Sequence, residues 1–332
     1  MTAPAAGLLL SEAAEARLGA RLAALAHAAG VPLRCHTPAT APDALPDLRA
    51  AFFSRDLYEG SELHRPGPLS DAFFRLVDAA PGLRWLHVFS SGLDLPQYAA
   101  SLARGVRVTG SSGVTAVSIA QTVLAAVLAQ SRGFAHWLPA QARREWAPLT
   151  GTARPKEIDT QHAVVVGAGP IGREIGRLLG AVGFRTTAVR RSATPAEGFG
   201  RTIELARLDE LLPQCDWLVL AVPLTAHTRG LLDARRLALL PPHARVVNVA
   251  RGGLVDEAAL VRALREGRLA GAYLDTFAQE PLPPDSPLWT LPGVWISPHN
   301  SAAAQGHEQR LDDSFLREFQ AWLAQYRERS PG

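Results

Sequence analysis

Lysine is nearly absent from this chain: Lys156 is the only one among 34 basic residues, and the rest are arginine. The 31 acidic residues leave a formal net charge of +3, and the arginines are scattered without a basic run. A charge footprint for nucleic acid is therefore not expected. Cysteine is almost as scarce. Cys35 and Cys215 lie far apart with no metal-ligand spacing, so they read as small core residues in a reducing compartment. The sequence has no H-E-x-x-H and no clustered Cys/His set, which argues against a catalytic metal. No apolar run approaches the length of about 18 residues that a membrane span needs. The first ten residues carry a Leu8-Leu9-Leu10 cluster but no basic segment, and do not read as a secretory signal. The expectation is a soluble, cytoplasmic protein without nucleic-acid or membrane partners.

What is present is globular. The 332 residues are 47% hydrophobic and 20% charged, and the length suits two domains. Residues 12–29 repeat apolar side chains at helical spacing and stop at Gly30, a helix cap. Strands are expected at 50–53, 83–89 and 106–109, a loop with Pro42 and Pro46 at 39–47, and a weakly charged, buried helix at 115–130. The stretch 138–159, with Pro139, Pro148 and Pro155, reads as a surface connection. From residue 163 the pattern becomes regular. Strands at 163–166, 185–189, 217–222, 245–249, 271–275 and 294–296 enclose helices at 171–182, 208–212, 234–240 and 256–266. Such alternation means parallel strands joined by crossovers, and the apolar strands suit a sheet covered on both faces. A last helix at 306–327 carries Leu311, Phe315, Phe319 and Leu323 on one stripe, which returns it to the first domain.

Val164-Val165-Val166-Gly167-Ala168-Gly169-Pro170-Ile171-Gly172 sets a G-x-G-x-x-G at a strand-to-helix turn. The first glycine permits the turn, the second admits a pyrophosphate, and the third packs helix on strand. The helix start then offers free N–H groups and its dipole to the phosphates. Glycines also gather at turns for structural reasons, but here the apolar strand and the stripe Ile171, Ile175, Leu178, Leu179 and Val182 supply the required context. NAD sites usually carry an acid about 20 residues on, for the ribose 2′-hydroxyl. The window 185–195 has none and reads Val189-Arg190-Arg191-Ser192 instead. Guanidinium forks match a phosphate, so NADP(H) is favoured over NAD(H), although the arginines could also be solvated surface charge.

Arg251, Glu280 and His299 each stand just beyond an expected strand, where an open parallel sheet forms its ligand crevice. With Val222-Pro223-Leu224-Thr225 and Thr228, Asn248-Val249-Ala250-Arg251-Gly252-Gly253, Leu274-Asp275, Glu280-Pro281-Leu282-Pro283 and Ser297-Pro298-His299, the chain resembles the D-isomer-specific 2-hydroxyacid dehydrogenases. The resemblance covers about residues 84–305 well. Upstream, Ser90-Ser91-Gly92-Leu93-Asp94 resembles the family's substrate-carboxylate loop. Gly110 replaces a frequent asparagine and Gln121 a usual glutamate, which leaves contacts near that helix open.

The resemblance implies an α/β fold of two Rossmann-like, doubly wound parallel-sheet domains with the active site in the cleft between them. Residues 1–109 and 301–332 would form a discontinuous substrate domain, and 110–300 the dinucleotide-binding domain. It implies reduction of a 2-oxo acid to the D-2-hydroxy acid, with His299 donating the proton and Glu280 holding its far nitrogen. Arg251 would bind the carboxylate and polarise the carbonyl. Ser91 and Gly92 would complete the carboxylate site, and Asp275 would hold the nicotinamide carboxamide. Gly167, Gly169, Pro170, Ile171, Gly172, Arg190, Arg191, Ser192, Val222, Pro223, Thr228, Val249 and Ala250 complete the cofactor set.

Each residue also has a plainer reading. Arg251 could cap a helix or pair with Asp256, Asp275 could end a strand, Glu280 could be surface charge, and His299 a turn residue. His162, His227 and His307 read as surface or satisfied side chains. Trp289 and Trp295 flank the catalytic loop, where they could close the site or, for Trp295, pack in the core. Formate dehydrogenases resemble the pattern with glutamine in place of Glu280. A compact phosphoglycerate-type enzyme and a dinucleotide-sensing, corepressor-like binding protein stay open. The favoured substrates are glyoxylate and hydroxypyruvate, and the favoured assembly is the family's homodimer through nucleotide domains.

Overall fold

The computed structural model describes residues 5–39, 45–61 and 66–328, which fall into two units. One is drawn from residues 1–114 and 304–332, the other from 115–303. Residues 1–4, at the start of the segment weighed as a signal, and 40–44, in the loop expected at 39–47, lie outside the described residues.

The first unit runs β1 (Ala6–Leu9), α1 (Glu12–Ala29), β2 (Leu33–His36), β3 (Leu48–Phe53), α2 (Pro68–Ala79), β4 (Trp85–Val88), α3 (Pro96–Ala103) and β5 (Arg107–Gly110). The second runs α4 (Ala116–Ser131), α5 (Phe134–Ala142), β6 (His162–Val166), α6 (Pro170–Ala181), β7 (Arg185–Arg190), β8 (Arg201–Glu204), α7 (Leu208–Leu211), β9 (Trp217–Leu220), α8 (Ala234–Leu239), β10 (Arg245–Asn248), α9 (Glu257–Arg265), β11 (Gly271–Leu274) and β12 (Val294–Ile296). Helix α10 (His307–Glu328) then returns to the first unit and packs on α1.

Local chemistry sets the ends of α1. The Ser11 hydroxyl accepts from the Ala14 amide at 3.0 Å, Glu12 and Glu15 stand in the first turn, and Gly30 closes the helix at φ +68°. Both sheets are fully parallel. The first has order β2-β1-β3-β4-β5, the second β12-β11-β10-β9-β6-β7-β8. Alternate strand residues face opposite sides. Leu8, Phe52 and Trp85 thus meet Leu18, Leu22, Phe315 and Phe319, while Leu9, Phe53 and Leu86 meet Phe73, Val77 and Tyr98. In the second unit Val164, Leu218 and Val246 face Leu237, Leu260 and Leu264, and Val165, Val219 and Val247 face Val123, Val127 and Ile175. The second chain path starts mid-sheet at β6, runs out to β8, and returns to β9 on the other side. That reversal is the switch point where such sheets bind ligands, at the carboxyl ends of β6 and β9.

Several elements go beyond the sequence expectations. β1 is four buried residues without alternation, and β8 a largely polar edge of four. β2, α2 and α3 were likewise not foreseen, and α5 runs through Pro139 where a connection was expected. Among the described residues, no helix is long and apolar enough to cross a membrane, and no group of three or more His, Cys, Asp or Glu side chains could hold a metal ion. Cys35 and Cys215 are both free.

One core histidine gives the first unit a pH dependence. His87 on β4 is fully buried, ringed by Phe52, Trp85 and Phe315 at centroid distances of 5.8, 5.9 and 5.7 Å. Burial pushes its pKa from 6.5 down to about 4. Above pH 6.5 both folded and unfolded chains hold a neutral ring. Between pH 6.5 and about 4 only the unfolded chain takes up the proton, so stability is lost as pH falls. This group should remove on the order of 3 kcal/mol across that window. Urea unfolding near pH 7 and near pH 4.5 should show a smaller acid loss for His87→Gln than for wild type, and equal losses would contradict the assignment.

Candidate active site

The glycine loop leaves β6 where the Gly167 amide donates to Val189 O of β7 at 2.8 Å. Gly167 sits at φ +106°, and a Cβ there would lie 2.3 Å from Ala221 O. At Gly172 a Cβ would lie 1.9 Å from Gly167 O, so only glycine lets α6 start this close to the turn. Gly169 differs: it is the N-cap of α6, makes no side-chain cap bond, and has nothing within 4 Å of its Cβ direction. Pro170 follows, and the first turn holds no acid. An open cradle in front of uncapped N–H groups fits a pyrophosphate.

The neighbouring strand ends complete this edge. Arg190 is the last residue of β7, directly after the Val189 carbonyl that the loop engages, with Arg191 exposed beyond it. The Ser192 hydroxyl turns to Thr194 Oγ1 at 3.3 Å. Past β9 come Val222 and Pro223, where buried Thr228 donates to Pro223 O at 2.7 Å and accepts from the Thr225 amide at 2.8 Å. This closes the turn that follows β9.

The polar residues cluster beyond β10, β11 and β12. Buried Asn248 accepts from the Ala250 amide at 3.1 Å and donates to Arg251 O at 3.0 Å, shaping the turn through Val249 and Ala250. The Arg251 guanidinium donates to Ala250 O at 2.8 Å. Asp256, weighed as its partner, caps α9 through the Ala259 amide at 2.9 Å. A Cβ on Gly252 would lie 1.9 Å from the Phe277 carbonyl carbon, so this turn rests on the segment leading to Glu280.

Glu280 accepts from the Phe277 amide at 2.9 Å through Oε1 and from His299 Nδ1 at 2.7 Å through Oε2. The peptide bond from Glu280 to Pro281 is cis. Burial opposes ionisation of Glu280. The His299 hydrogen bond and charge, the Phe277 amide and the Arg251 charge outweigh it and hold the carboxyl below its usual range. The glutamate side chain is 12% exposed and the imidazole 39%. A carboxylate only accepts, so Nδ1 carries a proton and Nε2 is left for exchange. His299 itself sits at φ +50°, its amide bonded to Asp275 O at 2.8 Å.

Asp275 fixes that turn. Its buried carboxylate accepts from the amides of Asn300 and Ser301 at 2.8 and 3.0 Å and from the hydroxyls of Ser297 and Ser301. Since Ser297 gives its proton to Asp275, the Tyr273 hydroxyl must donate to Ser297 Oγ at 2.7 Å. Burial, aided by the Asp275 charge, pushes the Tyr273 pKa up to about 12 and keeps it a donor. Sequence reasoning singled out Asp275, quoted Asn248 and Ser297 within motifs without giving them a role, and did not name Tyr273 or Ser301. Their signal was faint: polar side chains within or beside apolar strands.

In the first unit, the Ser90 hydroxyl donates to Gly92 O at 2.7 Å, and Ser91 Oγ lies 3.4 Å from Ser111 O. The Gly110 departure has a steric cause, because a Cβ there would lie 2.5 Å from Ser90 O. Gln121 is exposed on α4. His162 is satisfied by Thr187 and Gln214, as expected. His307 corrects the expectation: its Nε2 is buried without a hydrogen-bond partner. Trp289 is half exposed and donates to Pro283 O, while Trp295 packs against the core.

Residues 124–301 match the family model for the NAD binding domain of D-isomer specific 2-hydroxyacid dehydrogenases. The chain belongs to this family. Among curated members it is 32% identical to the glyoxylate/hydroxypyruvate reductase B of Yersinia enterocolitica over 274 residues, which is 81% of each protein. It is 37% identical to the D-3-phosphoglycerate dehydrogenase of Mycobacterium leprae over 237 residues, 71% of this chain but only 44% of that one. The match to that longer relative therefore spans less than half its length. A family member from Xanthobacter autotrophicus, solved with NADPH and MES, superposes with a TM-score of 0.71 at 29% identity, covering 96% of both chains.

Proposed function

We propose that the protein is an NADPH-dependent reductase of small 2-oxo acids that forms D-2-hydroxy acids. The observation that carries this reading is the 2.7 Å bond between Glu280 and His299, on a turn pinned by Asp275. When bound at the glycine cradle of Gly167, Gly169, Pro170, Ile171 and Gly172, the reduced coenzyme supplies a hydride for the carbonyl carbon. His299 delivers a proton from Nε2 to the carbonyl oxygen, and Glu280 stabilises the imidazolium. Arg251 binds the substrate and polarises the carbonyl, favouring the charge that grows on oxygen in the transition state. Ser91 and Gly92 take the substrate carboxylate. Val222, Pro223, Thr228, Val249 and Ala250 would hold the coenzyme together with Asp275, which also fixes the His299 turn.

Arg190, Arg191 and Ser192 are assigned to the 2′-phosphate. Supporting this are the absence of an acid in 185–195, the link from Gly167 to Val189, and the NADPH held by the Xanthobacter relative. The Yersinia relative's name supports glyoxylate and hydroxypyruvate as substrates. A phosphoglycerate-type activity is the second reading, favoured by the mycobacterial relative. Two free cysteines suit a cytoplasmic setting. A homodimer through the second unit is supported by Val117, Phe134, Trp137 and Leu138 on α4 and α5, each between 41% and 53% exposed.

Turnover tests the chemistry. His299→Ala should lower kcat about a thousandfold while NADPH affinity stays within about twofold; full activity would remove His299 from the mechanism. Glu280 is held ionised below its ordinary 4.5, so its own protonation does not limit reduction at higher pH. Glu280→Gln should lower kcat about tenfold or more, because Nδ1 loses the carboxylate that orients the ring, and an unchanged kcat would count against the pair. For the coenzyme, wild type should oxidise NADPH in preference to NADH, and Arg190→Ala with Arg191→Ala should erase that preference; a clear NADH preference in wild type overturns the assignment. Light scattering should report a dimer that Trp137→Glu with Leu138→Glu converts to monomer, whereas a monomeric wild type would refute the interface. Assaying 3-phosphohydroxypyruvate beside glyoxylate and hydroxypyruvate separates the two substrate readings, and a protein without turnover on any of them would instead be a binding protein.

A further inference from the structure

Under the Ser90-Ser91-Gly92 loop lies a chain of hydrogen bonds with one possible direction. Trp85 Nε1 lies 2.8 Å from Thr109 Oγ1, and an indole nitrogen only donates. His87 Nδ1 also lies 2.8 Å from Thr109 Oγ1. At the other end Ser111 Oγ, 3.1 Å from His87 Nε2, gives its proton to Val88 O at 3.3 Å, so Nε2 carries the ring proton and donates to Ser111. In the neutral ring Nδ1 then accepts, and Thr109 donates to it. The pattern fits a neutral imidazole protonated at Nε2.

The end of this chain is the support of the loop. The Ser111 amide donates to Ser90 O and Val88 O, each at 3.1 Å, and the Ser111 carbonyl lies 3.4 Å from Ser91 Oγ. Ser111 is itself fully buried, so its rotamer is set by His87 and Val88 rather than by water. Packing adds rigidity, because Phe315 of α10 lies 5.7 Å from the imidazole and stacks at 3.9 Å on Phe52.

We propose that His87 is a positioning residue for the substrate: it orients Ser111, and Ser111 holds Ser90 and Ser91 in the shape that takes the 2-oxo acid's carboxylate. The proposal rests on the assignment of that loop to the carboxylate. His87 touches neither substrate nor coenzyme, so its removal should act on substrate affinity and spare the chemical step.

The test is steady-state reduction of glyoxylate by NADPH near pH 7 with the full-length protein. His87→Phe keeps the ring volume but leaves Thr109 and Ser111 without their partner. It should raise KM for glyoxylate about tenfold, with kcat and the KM for NADPH within about twofold. His87→Gln, which can accept from Thr109 and donate to Ser111, should restore most of the affinity. Ser111→Ala removes the other end of the link without touching the aromatic core, and should raise KM in the same way. Should His87→Phe fail to fold, Ser111→Ala decides. An active wild type whose variants keep KM overturns the proposal while leaving the functional reading intact. A wild type that reduces no 2-oxo acid overturns both.

Discussion

Asp275 carries a carboxylate that folding removes from water, and an unmatched buried charge of this kind costs many kcal/mol. The turn after β12 supplies what water no longer does: two backbone amides and two serine hydroxyls. The dependence runs both ways. The turn adopts a shape that places His299 at φ +50°, a backbone conformation uncommon outside glycine, because the carboxylate over-determines it. With the turn fixed, Nδ1 meets Glu280. Tyr273 behind Ser297 extends the same arrangement into the sheet.

The rest of the second unit serves the same edge. Parallel strands joined by crossovers deliver all their carboxyl ends to one side, and the reversal between β6 and β9 opens that side to a ligand. Close approach then dictates residue type. Gly167, Gly172 and Gly252 each face backbone at distances that no Cβ tolerates, whereas Gly169 faces open space before a helix start. Three of these glycines build the scaffold, and the fourth leaves room. In the first unit Gly110 has the same scaffold role against Ser90, which gives a physical reason for a residue that departs from the family's habit.

Long elements were legible in the sequence because their periods repeat. α1, α4, α6 and α10 lie within a residue or two of their expected bounds, and the apolar strands β6, β7, β9, β10, β11 and β12 were located. β2 and β8 were not, since Leu33–His36 and Arg201–Glu204 hold too few apolar residues to read as a buried run, and β1 was not, since a fully buried strand beside a helix shows no alternation. The candidate site residues at the strand ends were legible for a different reason. A charged residue just past an apolar strand adds little to packing, yet it stands on the edge where parallel sheets bind ligands. The groups that orient them were hidden. Asn248, Ser297, Ser301 and His87 act through hydrogen bonds whose partners lie as far as 26 residues away in the chain, and nothing in composition or spacing announces such bonds.

In the proposed reaction the Asp275 carboxylate, by holding the 297–301 turn, gives His299 its working position. The most direct measurement is kcat for 2-oxo acid reduction by Asp275→Ala at saturating NADPH, with circular dichroism to establish that the sheet is intact. A loss of about a hundredfold or more is expected, because the imidazole is no longer presented on Glu280. A folded Asp275→Ala protein with kcat within about twofold of wild type would contradict it.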